Sequence, residues 1–237
     1  MRRCASSWAR RAASRSTSDH GPARRALRAP VRARAYPDGV TYPVAFEVDY
    51  SDSRSRLSAF FRLILAIPLA IWLYVYGILA TIVVVIVWFA IVITGRYPAG
   101  MYEFVSGFVR FFARVTAYIA LLCDPYPSFG GSDDPAYPVR MHFDGPLPSY
   151  SRLRTGFRFI LAIPILVVRY VMQLMLEIGA IGAWFVIVVT GGMPRGLFDL
   201  MVLANSYIAR SDAYLMLLTE TYPPFQDEQT RAAGQPG

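Results

Sequence analysis

Residues 63–95 read LILAIPLAIWLYVYGILATIVVVIVWFAIVITG, thirty-three positions without a charge. A run of about 18 apolar residues already suggests a membrane helix, so this stretch predicts an integral membrane protein that is mainly α-helical. One helix of this length measures roughly 48 Å at about 1.5 Å per residue, against a hydrocarbon core of about 30 Å. Two antiparallel spans use the run fully, with a turn near Tyr74, Val75, Tyr76 and Gly77. Trp72, Tyr74 and Tyr76 suit an interface, and Gly77 a tight turn.

The run occurs twice. Arg62 and the block from Leu65 to Pro68 return 96 residues later as Arg158 and the block from Leu161 to Pro164. Trp88-Phe89, Thr94-Gly95 and Pro98 return as Trp184-Phe185, Thr190-Gly191 and Pro194. Tyr126-Pro127 and Phe129 return as Tyr222-Pro223 and Phe225. Such self-similarity defines the structural unit: membrane repeat 1 over residues 40–130 and membrane repeat 2 over residues 136–226. A disordered Arg-rich tail, or a mis-annotated start, covers 1–35, and a disordered C-terminal tail covers 227–237.

Comparison of the copies bears on the turn. At the matching place the second copy carries Arg169, Gln173 and Glu177. At the bilayer centre an arginine costs about 2.5–3.5 kcal/mol, whereas at a hairpin turn it reaches headgroups. A helical hairpin is therefore the expected form. The competing form is one long kinked helix with Arg169 and Glu177 buried against partners. Both copies have the same basic flanks, so under the hairpin reading the repeats point the same way. Both termini then lie in the cytoplasm of a multi-pass protein in the cell membrane.

Each unit opens with alternating residues, Val44, Phe46 and Val48 against Glu47 and Asp49, then Val139, Met141 and Phe143 against Arg140 and His142. These predict two short strands that pair as a ribbon. Pro68 and Pro164 predict a bend inside the first span. Pro98 and Pro194 open a second helix. Its polar residues fall on one stripe: Glu103, Arg110, Arg114 and Tyr118, then Asp199, Arg210 and Tyr214. That amphipathic helix reads as interfacial, with arginines at lipid phosphates. The alternative is a polar seam between the copies, with Arg114 paired to Asp199.

The net charge of +8 belongs to the tail: residues 1–35 hold ten arginines and one acid, and the remainder fourteen arginines and fifteen acids. No folded basic face with stacking aromatics is evident, which argues against nucleic acid. Cys4 and Cys123 make no disulfide framework, and His20 and His142 join no metal-ligand cluster. No nucleophile elbow, phosphate loop or zinc-helix motif occurs. No catalytic, cofactor or metal site is expected, and no enzyme activity.

The Arg…Ala-Ile-Pro, Trp-Phe…Thr-Gly-Arg-Tyr-Pro and Asp/Glu-x-Tyr-Pro-x-Phe blocks resemble a bacterial membrane-protein family catalogued only as a domain of unknown function, in which some members carry the domain in tandem. The resemblance covers residues 40–225. The second copy departs from it with Gly192-Met193 where the motif has Arg-Tyr. It implies the class and layout and no established activity; the expected location is the cell inner membrane. The expected role is a non-enzymatic membrane scaffold or accessory subunit with membrane lipids and membrane or cytosolic proteins as partners. A small transporter with a polar seam, and a lipid-headgroup binder, are the alternatives.

Overall fold

The structure, a computed structural model, describes residues 43–51 and 54–224. The expected tails, with Cys4 and His20, lie outside the described residues, as do Tyr42 and Phe225. In chain order the elements are β1 (Val44–Val48), α1 (Arg56–Thr94), α2 (Ala99–Ile119), β2 (Val139–Phe143), α3 (Arg152–Gly156), α4 (Arg158–Thr190) and α5 (Arg195–Leu215).

The two strands pair antiparallel, with Val44 opposite Phe143 and Val48 opposite Val139. The central pair, Phe46 and Met141, joins residues that occupy equivalent positions in the two copies. The flanking bonds repeat this symmetry: Asp49 N–H donates to Pro138 C=O, and Asp144 N–H to Pro43 C=O. A local two-fold axis therefore passes through the ribbon centre. Val44, Phe46, Val48, Val139, Met141 and Phe143 are all buried on one face. The other face is wet, and there the Arg140 guanidinium grips the Asp49 carboxylate through two bonds of 2.8 Å.

Each apolar run forms one long helix, not a hairpin. α1 is a single helix of 39 residues, and α4 one of 33. Tyr74 to Gly77 lie within α1, and Arg169, Gln173 and Glu177 within α4. Physically, nothing stops either helix before its glycine. Gly95 (φ 73°) and Gly191 (φ 79°) adopt the left-handed conformation that ends a helix, and each N–H donates back to the carbonyl four residues earlier. Gly77 makes no turn: it faces the Phe108 ring, and a Cβ there would meet that ring at an ordinary contact distance of 3.5 Å. In the second copy, Phe157 separates α3 from α4, one residue after Gly156; the first copy has Phe60 where Gly156 stands and is continuous.

Direction follows from four residues. Arg54 N–H donates to Gly191 C=O, and Tyr150 N–H donates to Gly95 C=O, both at about 3 Å. The start of α1 thus meets the end of α4, and the start of α4 meets the end of α1. The two long helices are antiparallel, so the copies do not point the same way along them. The expectation of parallel spans rested on hairpins, which return each chain to its starting side; one helix per unit does not.

α2 turns back along α1: Tyr76 of α1 packs on Phe104 and Phe108, and Arg62 near the start of α1 reaches the end of α2. Three faces of α2 are occupied. Phe104, Phe108 and Phe111 meet α1 through Tyr76. Gly107, Arg110 and Arg114, a quarter-turn away, meet β2 and the loop before it. Val105, Val109 and Ala113, on the remaining side, are all buried, and α2 also packs against α5. The core is thus α2 and α5, roofed by the ribbon and flanked by α1 and α4.

The flanking helices bury only a stripe. In α1 it is Ala59, Arg62, Ala66, Leu69, Ala80, Val87 and Ile91, a three-four spacing on one side of the helix. The remaining faces are apolar and open: Leu63 is 75% exposed, Tyr74 72% and Ile93 68%. Ile178 and Val189 of α4 are 70% and 73% exposed. In each helix only 17% of the most apolar stretch is buried, which separates them from the core helix of a soluble domain.

Candidate functional site

Arg62 and Arg158, kept in both copies, clamp the ends of α2 and α5. A helix leaves its last four carbonyls without intrahelical partners. Arg62 Nη1 donates to Tyr118 C=O at 2.7 Å and Cys123 C=O at 2.8 Å, while Nη2 meets Asp124 Oδ1 at 2.8 Å. Its guanidinium lies 4.5 Å from the Tyr118 ring centroid. Arg158 repeats this: it donates to Tyr214 C=O and Thr219 C=O, and stacks on the Tyr214 ring at 3.6 Å. The following acid closes the corner by reaching back to the first helix of its own unit. Asp124 accepts from Ser55 N–H and Glu220 from Ser151 N–H, at the starts of α1 and α3. Leu121 (φ 64°) and Leu217 (φ 66°) hold the same left-handed turn beneath the two clamps. Planar forks with several donors suit such multi-carbonyl sites, and lysine does not.

The polar stripe is brought together only in part. Arg114 is 1% exposed and donates to Val139 C=O and Ser132 C=O. Arg110 donates to Met141 C=O and Gly131 C=O and lies over the Phe143 ring. Both arginines hold β2 and its preceding loop onto α2. They do not lie open toward phosphates, and Arg114 does not pair with Asp199, which is exposed at the start of α5. Glu103 is likewise exposed. Tyr118 and Tyr214 are platforms for the clamps. Arg210 is buried on α5, the helix that meets β1. Arg110 and Arg114 of the first copy thus bond the strand of the second, so this part of the stripe is a helix-to-ribbon seam between the copies, closed by main-chain carbonyls and not by Asp199.

The turn residues are corrected most. Arg169 reaches the buried Asp212 of α5 through two bonds, Nε to Oδ1 at 2.7 Å and Nη2 to Oδ2 at 3.2 Å. Gln173 donates to Glu177 one helical turn on. The Arg169 charge that argued for a hairpin is neutralised by Asp212, whereas Glu177 is exposed on α4. Asp212 was missed, although the sequence holds a signal: Arg169 stands at the place of Leu73, and Asp212 at that of Thr116, so both partners of the pair are private to the second copy.

Cys123 is buried, with Sγ 3.4 Å from the Tyr137 hydroxyl. Burial pushes its thiol pKa up, which keeps it protonated and inert. No group of three potential metal ligands occurs among the described residues. A close approach fixes the loop before β2: a Cβ on Gly131 would fall 2.0 Å from the Gly107 carbonyl oxygen.

These features define a class: a two-fold repeat of helical units, with two helices long and apolar enough to cross a membrane by length and composition. The family model described as Domain of unknown function (DUF4389) matches this chain twice, over residues 56–130 and 152–226. The chain belongs to that family, in tandem form. No curated protein and no solved structure matches it.

Proposed function

We propose that this protein is a membrane-embedded, non-enzymatic scaffold that holds its ribbon toward water for other proteins to bind. The observation that carries the reading is the open apolar shell of α1 and α4, over helices with only 17% of their most apolar stretch buried. Isolated exposed hydrophobics are ordinary, but shells running the length of two helices call for an apolar environment. The scaffold role rests on the internal use of the charged groups. Arg62, Arg110, Arg114 and Arg158 bond main-chain carbonyls, and Arg169 bonds Asp212. Each has a structural task, which favours a supporting role over a permeation path.

The test is reconstitution of the full chain. The expected result is resistance to alkaline carbonate extraction, and proton and chloride flux in proteoliposomes no greater than in empty vesicles. Flux that falls on Arg114→Gln would replace the scaffold with the transporter. Release by carbonate would remove the membrane reading itself.

A further inference from the structure

On the basis of that membrane reading, we infer that the protein is seated in one leaflet, with α1 and α4 lying along the membrane plane and the ribbon facing water. The partner surface is an anionic leaflet, engaged through the apolar helices and a rim of arginines.

The symmetry decides between upright and flat. Antiparallel helices exchanged by a two-fold axis must run perpendicular to that axis. The axis passes through the ribbon at Phe46 and Met141. If α1 and α4 stood upright, the axis would lie in the membrane plane, and the ribbon would sit at mid-depth. Glu47, Asp49, Arg140 and His142, all on its outer face, would then face acyl chains. Each charged side chain there costs about 2.5–3.5 kcal/mol before pairing. The ribbon has only two strands, so both its edges carry backbone groups that need water. Lipid-exposed sheet edges do not occur in hydrocarbon. With the axis along the membrane normal, the same residues reach solvent.

Length points the same way. α1, at 39 residues, is about 58 Å long and α4, at 33, about 50 Å. Fitting the roughly 48 Å apolar part of α1 across about 30 Å of hydrocarbon needs a tilt of about 50°, beyond the 0–40° range of membrane helices. Helices lying flat meet no such limit. They are more apolar than ordinary interfacial helices, so they sink below the headgroups, to which the arginines at their ends extend by their long side chains.

Charge completes the fit. Arg56 and Arg195 are exposed where the start of α1 meets the end of α4. Arg96, Arg152 and Arg154 are exposed at the opposite end. In the flat arrangement both clusters reach phosphates of one leaflet, where each cation contributes about 1 kcal/mol near an anionic surface.

The test uses variants of the full chain with one added cysteine on a Cys4→Ser background, with buried Cys123 retained and the background protein giving the blank. Arg56→Cys and Arg96→Cys report the two ends, and Ala45→Cys the ribbon. Arg195→Cys and Arg154→Cys replace either end variant that fails to accumulate. A membrane-impermeant maleimide is applied to spheroplasts and to inverted vesicles, with detergent-solubilised protein giving total sites. The expected result is labelling of all three positions from the same side, severalfold over the other side. Labelling of the two ends from opposite sides would overturn the proposal, as would an Ala45→Cys that labels only after detergent. Both outcomes leave the membrane reading intact, whereas protein stripped from vesicles by alkaline wash removes that reading first.

Discussion

Arg169 of α4 and Asp212 of α5 form a two-bond ion pair that the first copy lacks. Their contacts are 2.7 and 3.2 Å, with side chains 26% and 11% exposed. Removing one partner strands the other in a nearly dry site. Asp212→Asn is expected to cost about 3 kcal/mol, the lower end for breaking a buried pair because Arg169 keeps some solvent. The double change Arg169→Leu with Asp212→Thr installs the first copy's residues and is expected to be near neutral. A double-mutant cycle on thermal unfolding in detergent measures the coupling; additive losses would mean the pair is not a unit.

Arg62→Ala removes three charge-assisted bonds at the end of α2 and exposes Asp124 to loss of its partner. Hydrogen bonds to charged groups contribute about 1.5–3 kcal/mol each and are not additive, so a loss of at least about 3 kcal/mol is expected. Arg62→Lys restores the charge without the fork and recovers less than half. Denaturant midpoints of the three proteins check this order. Equal stability of Lys and Arg would show that charge alone suffices.

Gly131→Ala places a methyl group 2.0–2.2 Å from the Gly107 backbone. No side-chain motion relieves a backbone clash, so the loop must lift off α2 and release the Arg110 and Arg114 bonds to Gly131 and Ser132. Limited proteolysis is expected to cut between residues 128 and 136 while helical content holds. Wild-type resistance there would contradict the close approach.

Asn205 is 1% exposed, and neither its amide nitrogen nor its oxygen has a hydrogen-bond partner among the described residues. Its equivalent in the first copy is Val109, fully buried. An unsatisfied buried amide costs about 1–3 kcal/mol, so Asn205→Val is expected to raise the unfolding temperature. A lowered one would mean that Asn205 has a partner in the assembled protein.

The duplication, both strands and the proline-initiated second helix were legible because each rests on local chemistry: self-similarity, alternation and ring geometry. The hairpin was not. Arg169 read as an uncompensated charge, and its remedy lay 43 residues away on α5. Periodicity showed that Arg110 and Arg114 share a face but not which acceptor fills it, since the β2 carbonyls carry no sequence signature. Arg62 and Arg158 were visible as repeated residues, yet their task needed the helix-end corner. Antiparallel packing of the copies followed only from pairing Arg54 with Gly191 and Tyr150 with Gly95.

The central claim is that the open faces of α1 and α4 meet acyl chains. Spin labels at Tyr74, Ile93 and Ile178, compared with one at Ala45, test it in reconstituted vesicles. The account predicts that oxygen collides with the three helix labels more often than a water-soluble nickel complex does, and that the order reverses on the ribbon. Nickel collisions dominating at Tyr74 and Ile178 would contradict it.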